Sequence, residues 1–160
     1  MQIFAHRGLL TEFPENSFSA LTEATKRGFG LETDLRLTKD NDFAIIHDES
    51  FLRLTGVSQM VSELTLVELE QLTYLSSEEK IVSFRRLIEW LKANPSKPKH
   101  AIHLKSDSQT ESGLKLIVRY WQEFDLYQDF FVFDLTKAAA ARLKTLDPKI
   151  KVAYIVSDFK

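Results

Sequence analysis

The chain has 160 residues, 44% of them hydrophobic and 28% charged, with a formal net charge of -2 and no cysteine. That length suits one domain with a buried core, and the missing basic excess excludes a general nucleic-acid partner. Disulfides and thiolate metal sites are excluded too; the apolar start Met1–Ala5 is too short for a signal peptide and no run reaches the ~20 residues of a membrane span, so a cytoplasmic protein without stable membrane insertion is expected.

In chain order, residues 2–6 read as a strand ending at His6. Residues 17–27 read as a helix that Asn16 or Ser17 can cap and Gly28 and Gly30 can end. Strands follow at 30–37 and 43–47, the second ending at His47. Residues 64–72 suggest a short helix capped by Thr65. Residues 83–93 form an amphipathic helix with Phe84, Leu87, Ile88 and Leu91 on one face. After the breaker Asn94-Pro95-Ser96-Lys97-Pro98 come a strand at 100–105, a helix at 110–124, a strand at 130–135, a helix at 137–146 and a strand at 150–156. Repeated strand–helix alternation predicts parallel strands joined by crossover helices.

Side chains two apart on a strand share a face. Glu32 and Asp34 therefore point together, as do His103 and Lys105, near the C-terminal ends of their strands. His6 and His47 also end strands. In a parallel barrel all such ends open onto one mouth, so four strands would deliver these residues to one place. Two carboxylates suit a hard divalent cation, two histidines suit general acid–base work, and Arg7 and Lys105 suit a phosphate. Taken singly each has a plainer reading: Arg7 a surface cation, Glu32 and Asp34 a solvated face, Asn16 a helix cap. Convergence from several strands is what weighs against those readings.

Ala5-His6-Arg7-Gly8, Pro14-Glu15-Asn16-Ser17, Glu32-Thr33-Asp34 and His47-Asp48, in that order, resemble the glycerophosphodiester phosphodiesterase family. Weaker matches continue through Arg53, Thr55, Leu64-Thr65-Leu66 and Ile102–Lys105. The resemblance implies a TIM-type parallel β/α barrel that hydrolyses glycerophosphodiesters to glycerol phosphate and an alcohol. It implies His6 and His47 as the acid–base pair, Glu32 and Asp34 as ligands of one divalent cation, Mg²⁺ or Ca²⁺, and Arg7 and Lys105 beside the phosphate. Glu15 and Asn16 support the site, and Asp48 is expected to point away from His47.

Two departures stand out. The usual Glu-x-Lys strand reads His103-Leu104-Lys105, so His103 would replace a carboxylate ligand and favour Mn²⁺ or Zn²⁺. The usual barrel has eight strands and needs at least ~200 residues, whereas about six strands are legible in residues 1–160, read as a single domain lacking its C-terminal end. An open barrel edge would then be available for self-association. Two other functions remain open: a truncated or degenerate relative that binds a phosphodiester or metal without turnover, and a phospholipase D-like lipid phosphodiesterase.

Overall fold

The structure, a computed structural model, describes residues 2–154. Strands β1 (Phe4–His6), β2 (Gly30–Leu37), β4 (His100–Leu104), β5 (Phe130–Phe133) and β6 (Val152–Ala153) lie side by side and parallel in that order. Their crossovers carry α1 (Phe18–Lys26), α4 (Phe84–Ala93), α5 (Glu111–Phe124) and α6 (Lys137–Leu146). The last of the expected strands, 150–156, is seen only as β6; residues 155 and 156 lie outside the described part. The arrangement is the expected β/α-barrel type with the barrel not closed, β1 and β6 forming its two edges among the described residues.

Alternation divides the sheet into two faces. Leu31, Leu35, Ile102, Leu104, Phe130 and Val132 point outward and are buried against the helices, where Leu87, Ile88, Ile117, Tyr120 and Trp121 complete the core. Each fully buried aliphatic side chain there contributes roughly 1.5–3 kcal/mol by leaving water. The inner face carries Phe4 and His6, Glu32 and Asp34, His103, Phe131 and Phe133. The rings of Phe4 on β1 and Phe131 on β5 meet at 5.8 Å. Those strands would stand ~14 Å apart in a flat sheet, so the contact reports a sheet curled into a trough. Its lower part is an apolar cavity of about 240 Å³ lined by Phe4, Ala101, Phe131, Phe133, Ala153 and Tyr154 under Glu32.

The strand carrying residues 43–47 departs from expectation. It is β3 (Phe43–Ile45), which pairs antiparallel with β2 and stands off the parallel path. Residues 38–42 are too few for a parallel crossover, which needs roughly a dozen or more. They form instead a tight turn in which Thr38 N–H donates to Asp42 O at 2.9 Å and Asn41 takes φ 57°. The return arm carries the chain back along β2, where Ile46 N–H donates to Asp34 O at 3.0 Å. His47 therefore reaches the site from a hairpin and not from the end of a parallel strand.

Residues between β3 and α4 hold two one-turn helices, α2 (Leu52–Thr55) and α3 (Leu66–Leu69), the latter shorter than the helix expected over 64–72. They pack on a small separate core of Ile46, Phe51, Leu69, Tyr74 and Ile81. The Tyr74 hydroxyl donates to Glu15 O at 3.0 Å, which ties this excursion to the mouth of the trough.

Candidate active site

The turn after β1 is forced into an unusual backbone. Arg7 has φ 56° and Gly8 φ 91°, a conformation in which a side chain on residue 8 would be strained. A Cβ there would also lie 2.6 Å from the carbonyl carbon of Ala20. The close approach to α1 turns the Arg7 side chain inward, with Nε 3.2 Å from Asp34 Oδ2 and Nη1 3.3 Å from Glu15 Oε1. The Arg7 N–H also donates to Glu32 O at 3.0 Å.

On the inner face of β2, Glu32 and Asp34 are 8% and 1% exposed. His103 on β4 lies beside Asp34 in register, with Nδ1 3.1 Å from Asp34 Oδ1 and 3.9 Å from Glu32 Oε1. Lys105 Nζ is 3.6 Å from the same Asp34 oxygen, and His6 Nε2 is 3.8 Å from Glu32 Oε2. His6, Glu32, Asp34 and His103 are thus brought together by β1, β2 and β4, and Arg7, Glu15 and Lys105 by the segments that follow β1 and β4.

Asn16 is not the helix cap. Ser17 takes that role, accepting from Ala20 N–H at 3.2 Å, and buried Asn16 donates from Nδ2 to Asp34 Oδ2 at 3.1 Å. Asp48 does not point away from His47 either. Its Oδ1 accepts from His47 Nδ1 at 2.9 Å. Alternation fails there because β3 ends at Ile45 and residues 47–49 form a bend. Arg53 then bridges the two acidic groups, donating from Nε to Asp48 Oδ2 at 2.6 Å and from Nη2 to Glu15 Oε1 at 2.7 Å. Arg36, also on the inner face, donates to His47 O at 2.9 Å and pairs with Asp107.

The electrostatics separate the two buried carboxylates. Burial, reinforced by the charge of Asp34, pushes Glu32 up to about 7. Burial acts on Asp34 too, but His103, the Asn16 amide and Lys105 outweigh it and hold Asp34 at about 2. Asp48 is held at about 2, chiefly by Arg53. His6 is lowered by burial and by Arg7.

Glu32, Asp34 and His103 offer one ligand atom each within 4.8 Å of one another. Asp34 Oδ1 is buried without an aligned hydrogen-bond partner. Two crowded carboxylates, one of them driven towards protonation, and a buried oxygen without an aligned hydrogen bond are what a divalent cation would relieve, so the donor set fits one.

Residues 6–159 match the Glycerophosphoryl diester phosphodiesterase family. The chain belongs to this family. Among relatives, a glycerophosphodiester phosphodiesterase of Bacillus altitudinis is 42% identical over 71 residues, 44% of this chain and 29% of that protein. A human lysophospholipase D is 40% identical over 83 residues, 51% of this chain and 25% of that protein. Among solved structures, a phosphodiesterase from Oleispira antarctica in complex with the product sn-glycerol-3-phosphate superposes with a TM-score of 0.83 at 24% identity, covering 100% of this chain and 68% of that one. A glycerophosphodiester phosphodiesterase from Agrobacterium tumefaciens gives 0.80 at 22% identity, covering 95% and 65%. The matched segments thus span less than a third of those two relatives, and the structures establish the family's TIM-type fold for this chain.

Two residues of this family member escaped sequence reasoning as parts of the site. Arg53 carried a signal, its place in a family-like segment, but no chemical pattern marked it. Asp134, whose Oδ2 lies 3.5 Å from His103 Nε2, carried none.

Proposed function

We propose that this chain hydrolyses glycerophosphodiesters to glycerol phosphate and an alcohol, as one open β/α-barrel domain whose cation is held by Glu32, Asp34 and His103. The observation that carries the reading is the convergence of Glu32, Asp34 and His103 ligand atoms within 4.8 Å, with buried Asp34 Oδ1 lacking an aligned hydrogen bond, beside Arg7 and Lys105 at the strand ends. The named activities of the relatives and the glycerol phosphate in the Oleispira antarctica structure support the substrate class.

A bound cation would polarise a phosphoryl oxygen and lower the barrier to displacement at phosphorus. His103 contributes a nitrogen in place of charge, which favours Mn²⁺ or Zn²⁺ over Mg²⁺ or Ca²⁺. Arg7 and Lys105 present positive charge to the remaining phosphoryl oxygens, Arg7 steered by Glu15. His6, lowered by burial and by Arg7, is neutral at pH 7 and takes a proton from the attacking oxygen. His47, its Nδ1–H held by Asp48, presents Nε2 and acts from its imidazolium form, donating the Nε2 proton to the leaving alcohol and ending neutral. The proton that His6 gained is released to water, and His47 is reprotonated from water before the next turnover. Asn16 holds Asp34 through Oδ2, which leaves Oδ1 facing His103 and Lys105.

The apolar cavity that Glu32 overhangs favours a second reading, a lipid phosphodiesterase acting on a lysophospholipid. A metal-panel assay of glycerol phosphate release from glycerophosphocholine, run beside choline release from a lysophospholipid, tests both. Activity on glycerophosphocholine alone supports the first reading, and a strong preference for the lysophospholipid the second. Cation binding without turnover of either would make the chain a non-catalytic relative.

A further inference from the structure

Asp134 has no part in the chemistry assigned above, yet its backbone is set with care. It follows the last residue of β5 and takes φ 56°. Its N–H donates to Ala153 O at 3.3 Å, and its carbonyl accepts from Gln109 Nε2 at 3.4 Å. Gln109 is fixed in turn, donating to Leu104 O and accepting from Thr136 N–H, both at 2.9 Å. A non-glycine residue held in this left-handed region invites a functional explanation. The turn brings Asp134 Oδ2 to 3.5 Å from His103 Nε2. The other ring nitrogen, Nδ1, faces Asp34 and Glu32. Phe133 lies against the same ring, centroids 5.1 Å apart. His103 thus stands between the carboxylate pair on one side and a third carboxylate on the other.

We propose that Asp134 is a positioning residue that accepts the Nε2–H of His103 and keeps the Nδ1 lone pair aimed at the cation, an inference that rests on the cation reading above. An imidazole ligates only through an unprotonated nitrogen, so the proton must sit on the other one. A carboxylate facing that proton fixes both the tautomer and the ring plane and makes the ligating nitrogen more basic. It also returns, one residue removed, the negative charge that a histidine ligand does not bring. The plainer reading is an exposed pair of little consequence, since the Asp134 side chain is 51% exposed.

The two separate on a double-mutant cycle. Zn²⁺ and Mn²⁺ affinities are measured by competition with a chromogenic chelator for the wild type, Asp134→Asn, Asp134→Gly, His103→Glu, and His103→Glu combined with each. Asn and Gly tolerate the left-handed backbone that Ala would strain. Melting temperatures are followed in parallel. The expected result is a roughly 10–100-fold loss of affinity in Asp134→Gly and a smaller loss in Asp134→Asn, with melting unchanged. Neither change should matter in the His103→Glu background, because a carboxylate has no tautomer to fix. Equal losses in both backgrounds would overturn the proposal in favour of a general charge effect. Unchanged affinity on losing Asp134 would overturn it and leave the cation site standing. A wild type that binds neither ion would overturn the proposal and the cation reading together.

Discussion

His100 offers a test of the packing that stands behind the site. It lies on the outer face of β4, 3% exposed, and its Nδ1 accepts from the N–H of Leu31 at 3.2 Å. The ring proton is therefore on Nε2, 3.3 Å from Ser96 Oγ. A second proton would set the ring N–H against the N–H of Leu31, and burial lowers His100 from its ordinary 6.5 to about 4. A histidine lowered on folding stabilises the protein above the unfolded value and loses that contribution as pH falls through the window from 6.5 to about 4. Full loss corresponds to roughly 3 kcal/mol. The lowered carboxylates Asp34 and Asp48 start from 3.8 and act below this window. Glu32 acts inside it with opposite sign: raised from 4.5 to about 7, it destabilises as pH rises and offsets His100 in the wild type. The comparison is therefore wild type against His100→Asn, by urea melts in chelator between pH 7 and 4. Asn keeps an acceptor near the Nδ1 position but has no proton to gain. Relative to the wild type, stability of the variant should improve by roughly 3 kcal/mol on going from pH 7 to pH 4. Parallel pH profiles for the two proteins would refute a buried neutral His100.

His6→Ala and His47→Ala should each lower turnover of glycerophosphocholine by roughly 10²–10⁴-fold while cation binding, read by calorimetry, survives; near-full activity in either would make that histidine structural. His103→Glu should move the activating ion from Mn²⁺ or Zn²⁺ towards Mg²⁺ or Ca²⁺ in a metal-panel assay, and an unchanged ion preference would remove His103 from the ligand set. Gly8→Ala combines φ 91° with a Cβ 2.6 Å from Ala20; it should cost about 2–5 kcal/mol in a urea melt, and a loss under ~1 kcal/mol would show that the Arg7 turn is not held by this approach.

What the sequence made legible follows from where period-2 alternation holds. β2 occupies the expected 30–37, so Glu32 and Asp34 were placed correctly on one face, and the His103–Lys105 pair came from the same rule on β4. The rule failed at two places where a strand stopped early and the chain then bent. Reading residues 43–47 as a full strand turned Asp48 away from His47, but β3 ends at Ile45 and the bend that follows turns it back. A strand continuing to 135 would have set Asp134 on the face of Phe130 and Val132, but β5 ends at Phe133 and the left-handed residue 134 brings its carboxylate to His103. The antiparallel course of β3 was readable from the five residues 38–42, too short a link for a crossover. Asn16 and Ser17 are both good caps, and composition alone could not say which would cap and which would reach Asp34.

The claim on which the rest depends is that Glu32, Asp34 and His103 hold one divalent cation. Crystals grown with Mn²⁺ and measured at an anomalous wavelength address it directly. One anomalous peak is expected between the three side chains, roughly 2.0–2.6 Å from a carboxylate oxygen of Glu32, one of Asp34 and a nitrogen of His103, and it should vanish in Asp34→Asn. A peak elsewhere, or a fully occupied peak that survives Asp34→Asn, would contradict it.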